Sequence, residues 1–509
     1  MLAKTMATLT GDELAELHTE TEGNPLFLVE SLRAGWPANR EPSAKVHAVI
    51  ESRLRRLSPA ARDLAGLAAT IGREFGVDVV TVASGQTADD VLTGLDELWR
   101  RRIVREHGAD GYDFTHDKIR DVAYRAVTPP VRRRHHRRVA DALATDGVPD
   151  AVSGQVAHHY QRAGDVAASV PWTLRAAEAA ARLHADRDAV RLLQRALALL
   201  RAMPSSVEHN ALELRLLTAL PGPLCAVEGY SSPGLVTAHS RALELARALD
   251  VELEPPMVRS LALSSLSRSD FDGANRFGTQ LLWRGEREHD DVLVVEGTYV
   301  LGIAAFWRAE FAEARRYFER AIEHYEPEQR SVHLIRYGQD PRVVCTSRLA
   351  NTLWFLGEQD AALRTRDAAL ALAEETGHPF SRSVVLVFAA LLALDMADDA
   401  RMRGYVTELT AMDGGAAQNR VAIEAMRCYL DVLESKPGVA RCRALLDKQD
   451  AASAPGLLDI LRRVLLAAAT VAGDEDAAAS AADALVARAP NPWQSLARRA
   501  RDGLAARNP

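Results

Sequence analysis

One recurring pattern of small and aromatic residues limits the fold of this chain more than any other feature. Leu301-Gly302, Glu310-Phe311, Ala314, Phe318 and Ala321 fall at the spacing of a unit built from two packed helices. Leu349-Ala350, Gly357-Glu358, Ala362 and Ala369 restate that frame 48 residues on, from Ala314 to Ala362, so an insertion over residues 328–341 separates the two copies. Weaker echoes sit at Asp270-Phe271, Ala274 and Leu281, at Ala189, Leu193 and Ala196, and at Gly473-Asp474, Ala478, Ala482, Leu485 and Pro490. Two helices approach to about 8–10 Å only where the facing residues are small. A single pair cannot bury its own apolar face, so neighbouring pairs must stack.

These are the offsets of tetratricopeptide repeats. They predict a mainly α chain whose residues 146–509 form a tetratricopeptide-like α-solenoid, a right-handed superhelix of roughly eight to ten helical pairs of ~34–40 residues each. At 509 residues the chain is too long for one hydrophobic core, which fits either roughly three or four domains or one short domain plus a repeat array. The net charge of −7 argues against a chain-wide nucleic-acid or membrane footprint. Cys225, Cys345, Cys428 and Cys442 are widely spaced, with neither metal-knuckle nor disulfide-framework spacing, and point to a reducing cytoplasm. The apolar run from Val384 to Leu394 falls short of the roughly 20 residues needed to cross a bilayer and reads as a buried helix.

Ahead of the repeats the pattern changes twice. Residues 8–34 read as two short helices, with Thr10 as N-cap, Glu13 three positions on, and a break at Gly23-Asn24-Pro25. Prolines at 37 and 42 mark a boundary, giving a first segment of 1–42. Over 43–145, Ser43 and Ser58 are N-caps, with Pro59 at a first helical position. Val91, Leu92, Leu95, Leu98 and Trp99 form an apolar stripe at helical spacing. The period then drops to two at Ile103-Val104-Arg105 and Tyr112-Asp113-Phe114, around a turn-rich His107–Gly111, which predicts a single β-hairpin. Helices followed by one hairpin describe a small winged-helix domain.

With these residues in place, the chain resembles the signal-transduction ATPases with numerous domains, in particular large LuxR-like and antibiotic-regulator-like proteins that set a helical-repeat sensor behind an AAA-type module. The resemblance rests on Gly23-Asn24-Pro25-Leu26-Phe27-Leu28-Val29-Glu30 as a lid, on Leu95-Asp96-Glu97-Leu98 with Ile103-Val104, and on Phe114-Thr115-His116-Asp117-Lys118-Ile119-Arg120. Ala157-His158-His159-Tyr160 with Ala163-Gly164-Asp165 then opens the repeats. It implies an ADP-locked switch that a ligand on the repeats releases for ATP exchange and self-association, most often to govern transcription. In it Gly23 and Pro25 would lie beside the adenine, and His116 and Asp117 would touch the bound diphosphate. A plain helix turn and a helix N-terminus packed on the hairpin are the simpler readings of the same residues.

One part of that switch is missing. A P-loop needs a Gly-Lys pair so that backbone amides and an ammonium cradle the phosphates, and none of Lys4, Lys45, Lys118, Lys436 and Lys448 follows a glycine. The expectation is therefore no ATPase activity and no cofactor for this chain, with ATP or ADP belonging to an intact parent; an in-frame P-loop within roughly 200 codons upstream, a normal domain length, would mark the chain as a truncation of that parent. No nucleophile motif is found. Arg132-Arg133-Arg134-His135-His136-Arg137-Arg138 reads as a solvated or interdomain basic face, so direct DNA contact is not expected. Adjacent histidines point about 100° apart on a helix, and no metal site is expected at His135-His136 or His158-His159. The insertion, with Arg330, His333, Arg336, Tyr337 and Gln339, is the expected surface for a protein or small-molecule inducer. Trp307, Trp354, Tyr317, Phe318 and Phe355 could line a groove but read first as core. The competing whole-chain reading is a stand-alone scaffold for partner proteins without nucleotide switching.

Overall fold

The computed structural model describes residues 44–505 apart from 109–110, 145–148, 231, 413–416, 450–454 and 489, together with five isolated positions before residue 44. Gly23, Pro25, Ser43 and nearly all of segment 1–42 lie outside the described residues. Thr10 and Glu13 are described and make the expected capping box. The Glu13 amide donates to the Thr10 hydroxyl at 3.3 Å, and the Thr10 amide donates to the Glu13 carboxylate at 2.8 Å. The chain divides into two compact units, residues 1–176 and 177–509.

In the first unit α1 (Ala44–Arg55) and α2 (Pro59–Ile71) are followed by β1 (Glu74–Gly76), α3 (Val77–Ser84), α4 (Ala88–Arg100), β2 (Val104–His107) and β3 (Gly111–Phe114). Then come α5 (Asp117–Ala126), α6 (Pro129–Leu143), α7 (Asp150–Ala163) and α8 (Val166–Arg182), the last running across the division between the units. Ser58 caps α2 by accepting from the Ala61 amide, with Pro59 at the first helical position. Its own N–H and hydroxyl donate to the Glu97 carboxylate at 2.9 and 2.7 Å, which ties the start of α2 to α4.

Two sequence expectations are corrected here. The hairpin β2–β3 forms in the register Val104↔Phe114 and His107↔Gly111, but it is not alone: β1 pairs with β3, giving a three-stranded sheet ordered β1-β3-β2. Three residues are too few to display an alternating pattern, so β1 left no period to read. The stripe on α4 is also narrower than expected. Val91, Leu95 and Leu98 are buried, whereas Leu92 and Trp99 are 49% and 48% exposed, because they sit one position round the helix from the buried face.

The second unit is helical throughout its described residues. It begins with α9 (Asp186–Arg201), α10 (Val207–Ala219), α11 (Pro221–Glu228), α12 (Pro233–Leu249), α13 (Pro255–Ser267), α14 (Phe271–Glu288), α15 (Asp291–Trp307) and α16 (Phe311–Glu323). Short turns over residues 327–337, ending in a π-helical turn at His333–Tyr337, lead to α17 (Pro341–Phe355), α18 (Gln359–Thr376), α19 (Pro379–Asp395) and α20 (Asp399–Ala411). The array ends with α21 (Ala417–Leu433), α22 (Gly438–Asp447), α23 (Pro455–Ala472), α24 (Glu475–Ala487) and α25 (Gln494–Ala505).

A repeated turn shows why these helices pair. Ser269, Ala309, Gly357, Ala397, Ser435 and Gly473 all have positive φ, at intervals of 38 to 48 residues. The residue after each donates its amide back across the helix end: Asp270 to Ser265, Glu310 to Ala305, Glu358 to Leu353, Asp398 to Ala393, Lys436 to Asp431 and Asp474 to Ala469, all at 2.8–2.9 Å. This is the bonding of a left-handed helix stop, and it reverses the chain into the next helix. The long interval, from Ala309 to Gly357, is the one that holds the insertion. Packing follows the sequence frame: Ala314, Phe318, Ala321, Ala350, Ala362 and Ala369 are buried, as are Ala189, Leu193, Ala274, Leu281, Ala478 and Leu485. A Cβ at Gly302 would stand 2.6 Å from the Phe318 ring, so glycine is what lets α15 and α16 close.

Candidate functional site

The interior of the second unit holds a charge that its fold leaves unanswered. Arg348, in the middle of the buried helix α17, is 1% exposed, and none of its three guanidinium nitrogens has a hydrogen-bond partner among the described residues. Its guanidinium carbon lies 3.7 Å from the centre of the Phe388 ring and 4.0 Å from that of Phe306, with Trp307 at 5.2 Å. Burial pulls the group down to about 9, so it still carries its charge at neutral pH. Cation–π contacts of this kind contribute roughly 0.5–2 kcal/mol each. A buried ion without a partner costs several kcal/mol, more than such contacts readily offset.

Arg348 lines a cavity of about 130 Å³. Leu263, Ile303, Trp307, Val384, Phe388 and Ile460 form most of its apolar wall, and Tyr230, Tyr299, Gln339 and Asn419 supply polar groups. Among the described residues no aspartate or glutamate lines it. The wall is built from residues of α13, α15, α17 and α19 together with α21 and α23.

Beside the cavity lies a paired counterpart. Arg259 is buried and donates Nε to Glu296 at 3.0 Å, Nη1 to the Tyr230 hydroxyl and the Tyr337 carbonyl at 3.1 and 3.2 Å, and Nη2 to Gln339 Oε1 at 2.9 Å. Burial on its own lowers this guanidinium, but Tyr230, Glu296 and Tyr299 more than offset it and hold it above its usual value. Glu296 pairs on its other oxygen with His333 Nδ1 at 2.8 Å. Gln339 Oε1 also accepts from the Tyr230 and Tyr299 hydroxyls at 3.2 and 2.9 Å. Three donors on one oxygen fix the orientation of that amide and leave its –NH2 as the donor it can offer elsewhere.

The residues expected to form an inducer surface divide between two environments. Arg336 is 50% exposed, and Arg330 is partly exposed and bonded to Glu375 at 3.0 Å. His333 and Tyr337 are only 1% and 3% exposed, so they belong to the interior. The insertion was read as polar surface because it falls outside the repeat frame, but its π-helical turn rolls His333 onto Tyr325, with stacked rings 5.3 Å apart, and into the Glu296–Arg259 network. Gly338, at φ +75°, closes the turn where it meets Gly222, and a Cβ there would lie 3.2 Å from the Gly222 Cα.

In the first unit His116 is the N-cap residue of α5, and Asp117 opens that helix with an ion pair to Arg73 at 3.1 Å. Arg73 also bonds the buried Asp113 at 3.3 Å, and Arg105 holds the other oxygen of Asp113 at 2.7 Å. The basic helix α6 spends part of its charge locally: Arg137 pairs with Asp141 and Asp165, and Arg132 lies over the Tyr124 ring at 4.8 Å. Two histidines read only as neighbours of their own partners meet across helices instead. His136 and His159 share a 2.9 Å Nδ1–Nδ1 hydrogen bond, and the Tyr124 hydroxyl lies 2.9 Å from His136 Nε2. Burial, then neighbouring imidazoles, takes His136 to about 3 and His159 to about 4. Among the described residues no group of three or more His, Cys, Asp or Glu side chains could hold a metal ion, and no helix is long and apolar enough to cross a membrane.

Comparison with known proteins bears on the fold. A solved structure from Pyrococcus horikoshii, a signal-transduction ATPase with numerous domains that carries a tetratricopeptide repeat sensor, superposes over 99% of this chain and 73% of its own, with a TM-score of 0.51 and 12% identity. The chain has a tetratricopeptide-like helical repeat fold. A Rap protein complexed with competence and sporulation factor is a weaker neighbour, with a TM-score of 0.42 and 14% identity over 67% of this chain and 96% of its own. In sequence, an uncharacterized protein of Rhizobium meliloti (strain 1021) is 24% identical over 424 residues, which is 78% of this chain but only 40% of that protein's length. No family model matches.

Proposed function

We infer that this chain is a regulatory arm of an ATP-dependent signal-transduction switch governing transcription, in which the repeat unit senses a protein or small-molecule ligand. The observation that carries this reading is the order of elements. The run α2-β1-α3-α4-β2-β3, with the sheet ordered β1-β3-β2, suits a winged-helix module, and tandem helical repeats follow it. A switch ATPase with a repeat sensor supplies a fold likeness along nearly the whole chain. Without a Gly-Lys pair, this chain would neither hydrolyse ATP nor hold a nucleotide or other cofactor by itself. The nucleotide would be held in an intact parent, in the cytoplasm.

On this reading Gly23, Pro25, His116 and Asp117 face the nucleotide of the parent. Arg73, which already bridges Asp113 and Asp117, is the cation that a diphosphate near α5 would draw away. Two measurements test the proposal. Fluorescent ADP should not bind the chain alone, and tight magnesium-dependent binding would show a phosphate site that the sequence does not predict. Transcript profiling of a strain with a stop codon early in the coding sequence for residues 177–509 should show a confined set of genes changed. An unaltered profile would remove the regulatory reading and leave a scaffold.

A further inference from the structure

We propose that the cavity beside Arg348 is a binding site for a small organic carboxylate with an apolar, ring-sized body. The Arg348 nitrogens are sealed between Phe306 and Phe388, so the head would pair with the guanidinium once that side chain turns out from between the two rings, and the body would fill the space between Trp307, Phe388 and the aliphatic wall. The claim deepens the sensor reading, on which its biological use rests, but the site stands on its own geometry.

Three observations converge. Arg348 is buried and charged, and among the described residues its nitrogens find no hydrogen-bond partner and no acidic residue lines the cavity it borders. A cation in such a place draws an anion, and the planar fork of arginine matches the two oxygens of a carboxylate. The neighbouring Arg259, equally buried, shows what this interior does when it intends a structural arginine. It supplies a carboxylate, a carbonyl, an amide oxygen and a hydroxyl. Nothing of the kind is supplied to Arg348.

Size and lining narrow the ligand. A volume of about 130 Å³ is close to the roughly 150 Å³ apolar cavity that admits benzene in an engineered protein. The wall is mostly aliphatic and aromatic, which excludes a fully hydrated dianion such as free phosphate and favours a monoanion with an apolar body. The –NH2 of Gln339, freed by the three donors on its oxygen, is available as a second contact for the head group.

The test uses the full chain with 4-fluorobenzoate and 4-fluorobenzamide, followed by fluorine NMR and calorimetry. The pair differs in charge but hardly in shape. The acid should bind at least tenfold more tightly than the amide and raise the melting temperature. Arg348→Leu should lose that preference and, with the unpaired cation gone, melt no lower than the natural chain. Equal binding of acid and amide would overturn the proposal, as would no binding of either up to the solubility limit. If Arg348→Leu fails to fold, Arg348→Lys decides, because it keeps the charge and loses the fork. A tenfold or greater loss supports the site, and an unchanged affinity for the acid overturns it. Failure of the sensor reading looks different. The acid would bind as described, yet hydrogen exchange away from the cavity and the transcript profile would not respond.

Discussion

Removing the carboxylate of Glu296 tests whether the insertion is fastened to the repeats by charge. Glu296 is fully buried and holds Arg259 Nε at 3.0 Å and His333 Nδ1 at 2.8 Å. In Glu296→Ala the guanidinium keeps only neutral acceptors, on Tyr230, Tyr337 and Gln339. Breaking a buried pair from one side costs about 3–5 kcal/mol. The remaining acceptors place this case near the lower end, at about 3 kcal/mol. Arg259→Met should cost a similar amount, since it leaves Glu296 with His333 alone. The double variant Arg259→Met/Glu296→Leu removes both charges and should fall well short of the sum, because apolar replacement of a whole buried pair is often close to neutral. Urea unfolding followed by far-UV circular dichroism gives the overall cost. Hydrogen exchange over residues 255–340 localises it, which matters because two compact units need not unfold together. Single variants costing less than about 1 kcal/mol, or a double variant equal to the sum, would show that the network is ornamental to the fold.

Mild acid should destabilise the chain through its buried histidines. His136 and His159 are held near 3 and 4, and His239 and His378 near 4, in each case by burial foremost. Each therefore stays neutral in the folded chain while the unfolded chain takes up its proton below about pH 6.5. Stability is fully present above that value and falls on acidification by about 1.4 kcal/mol per pH unit for each such histidine. Melting temperature against pH, with His159→Gln flattening the acid limb, checks the slope and its sign. Gly302→Ala should destabilise by about 1–2 kcal/mol, because the gain in helix propensity is smaller than the overpacking against the buried Phe318. Differential scanning calorimetry of Gly302→Ala beside Gly302→Ala/Phe318→Leu should show partial recovery in the second. Tyr337→Phe should be neutral or slightly stabilising, since the buried hydroxyl finds no partner among the described residues; a loss above about 1 kcal/mol in urea unfolding would contradict that.

Much of the architecture was readable in the sequence because helix pairing is a local matter. Gly302 opposite Phe318, and the alanines at 314, 321, 362 and 369, encode close approach in residue size, and size is visible in a string of letters. The capping residues Thr10 and Ser58 were legible for the same reason, their partners lying within three positions. The third strand was not, because Glu74-Phe75-Gly76 owes its conformation to Gly111–Asp113, more than thirty positions away. The interior of the insertion was hidden likewise. His333 and Tyr337 look like surface residues until Glu296 and Arg259, on other helices, draw that turn inward.

Arg348 is the extreme of this pattern, and it shows where a repeat protein can conceal a site. In the sequence it is one arginine among many, set between Ser347 and the Leu349-Ala350 of the repeat frame, with no motif around it. Its meaning comes from Phe306, forty-two positions before, and Phe388, forty positions after, which stand on the corresponding helices of the flanking repeats. Equivalent positions in stacked repeats face the same interior, so a residue that departs from the repeat chemistry at one of them is presented to its neighbours on both sides. A charge there is surrounded by apolar side chains by construction. Repeats that only stack would gain by replacing it with leucine. Arg348 stands there nonetheless, beside an arginine given every partner it needs, and on the carboxylate proposal that is where this unit would meet its ligand, with Gln339 of the insertion at its side.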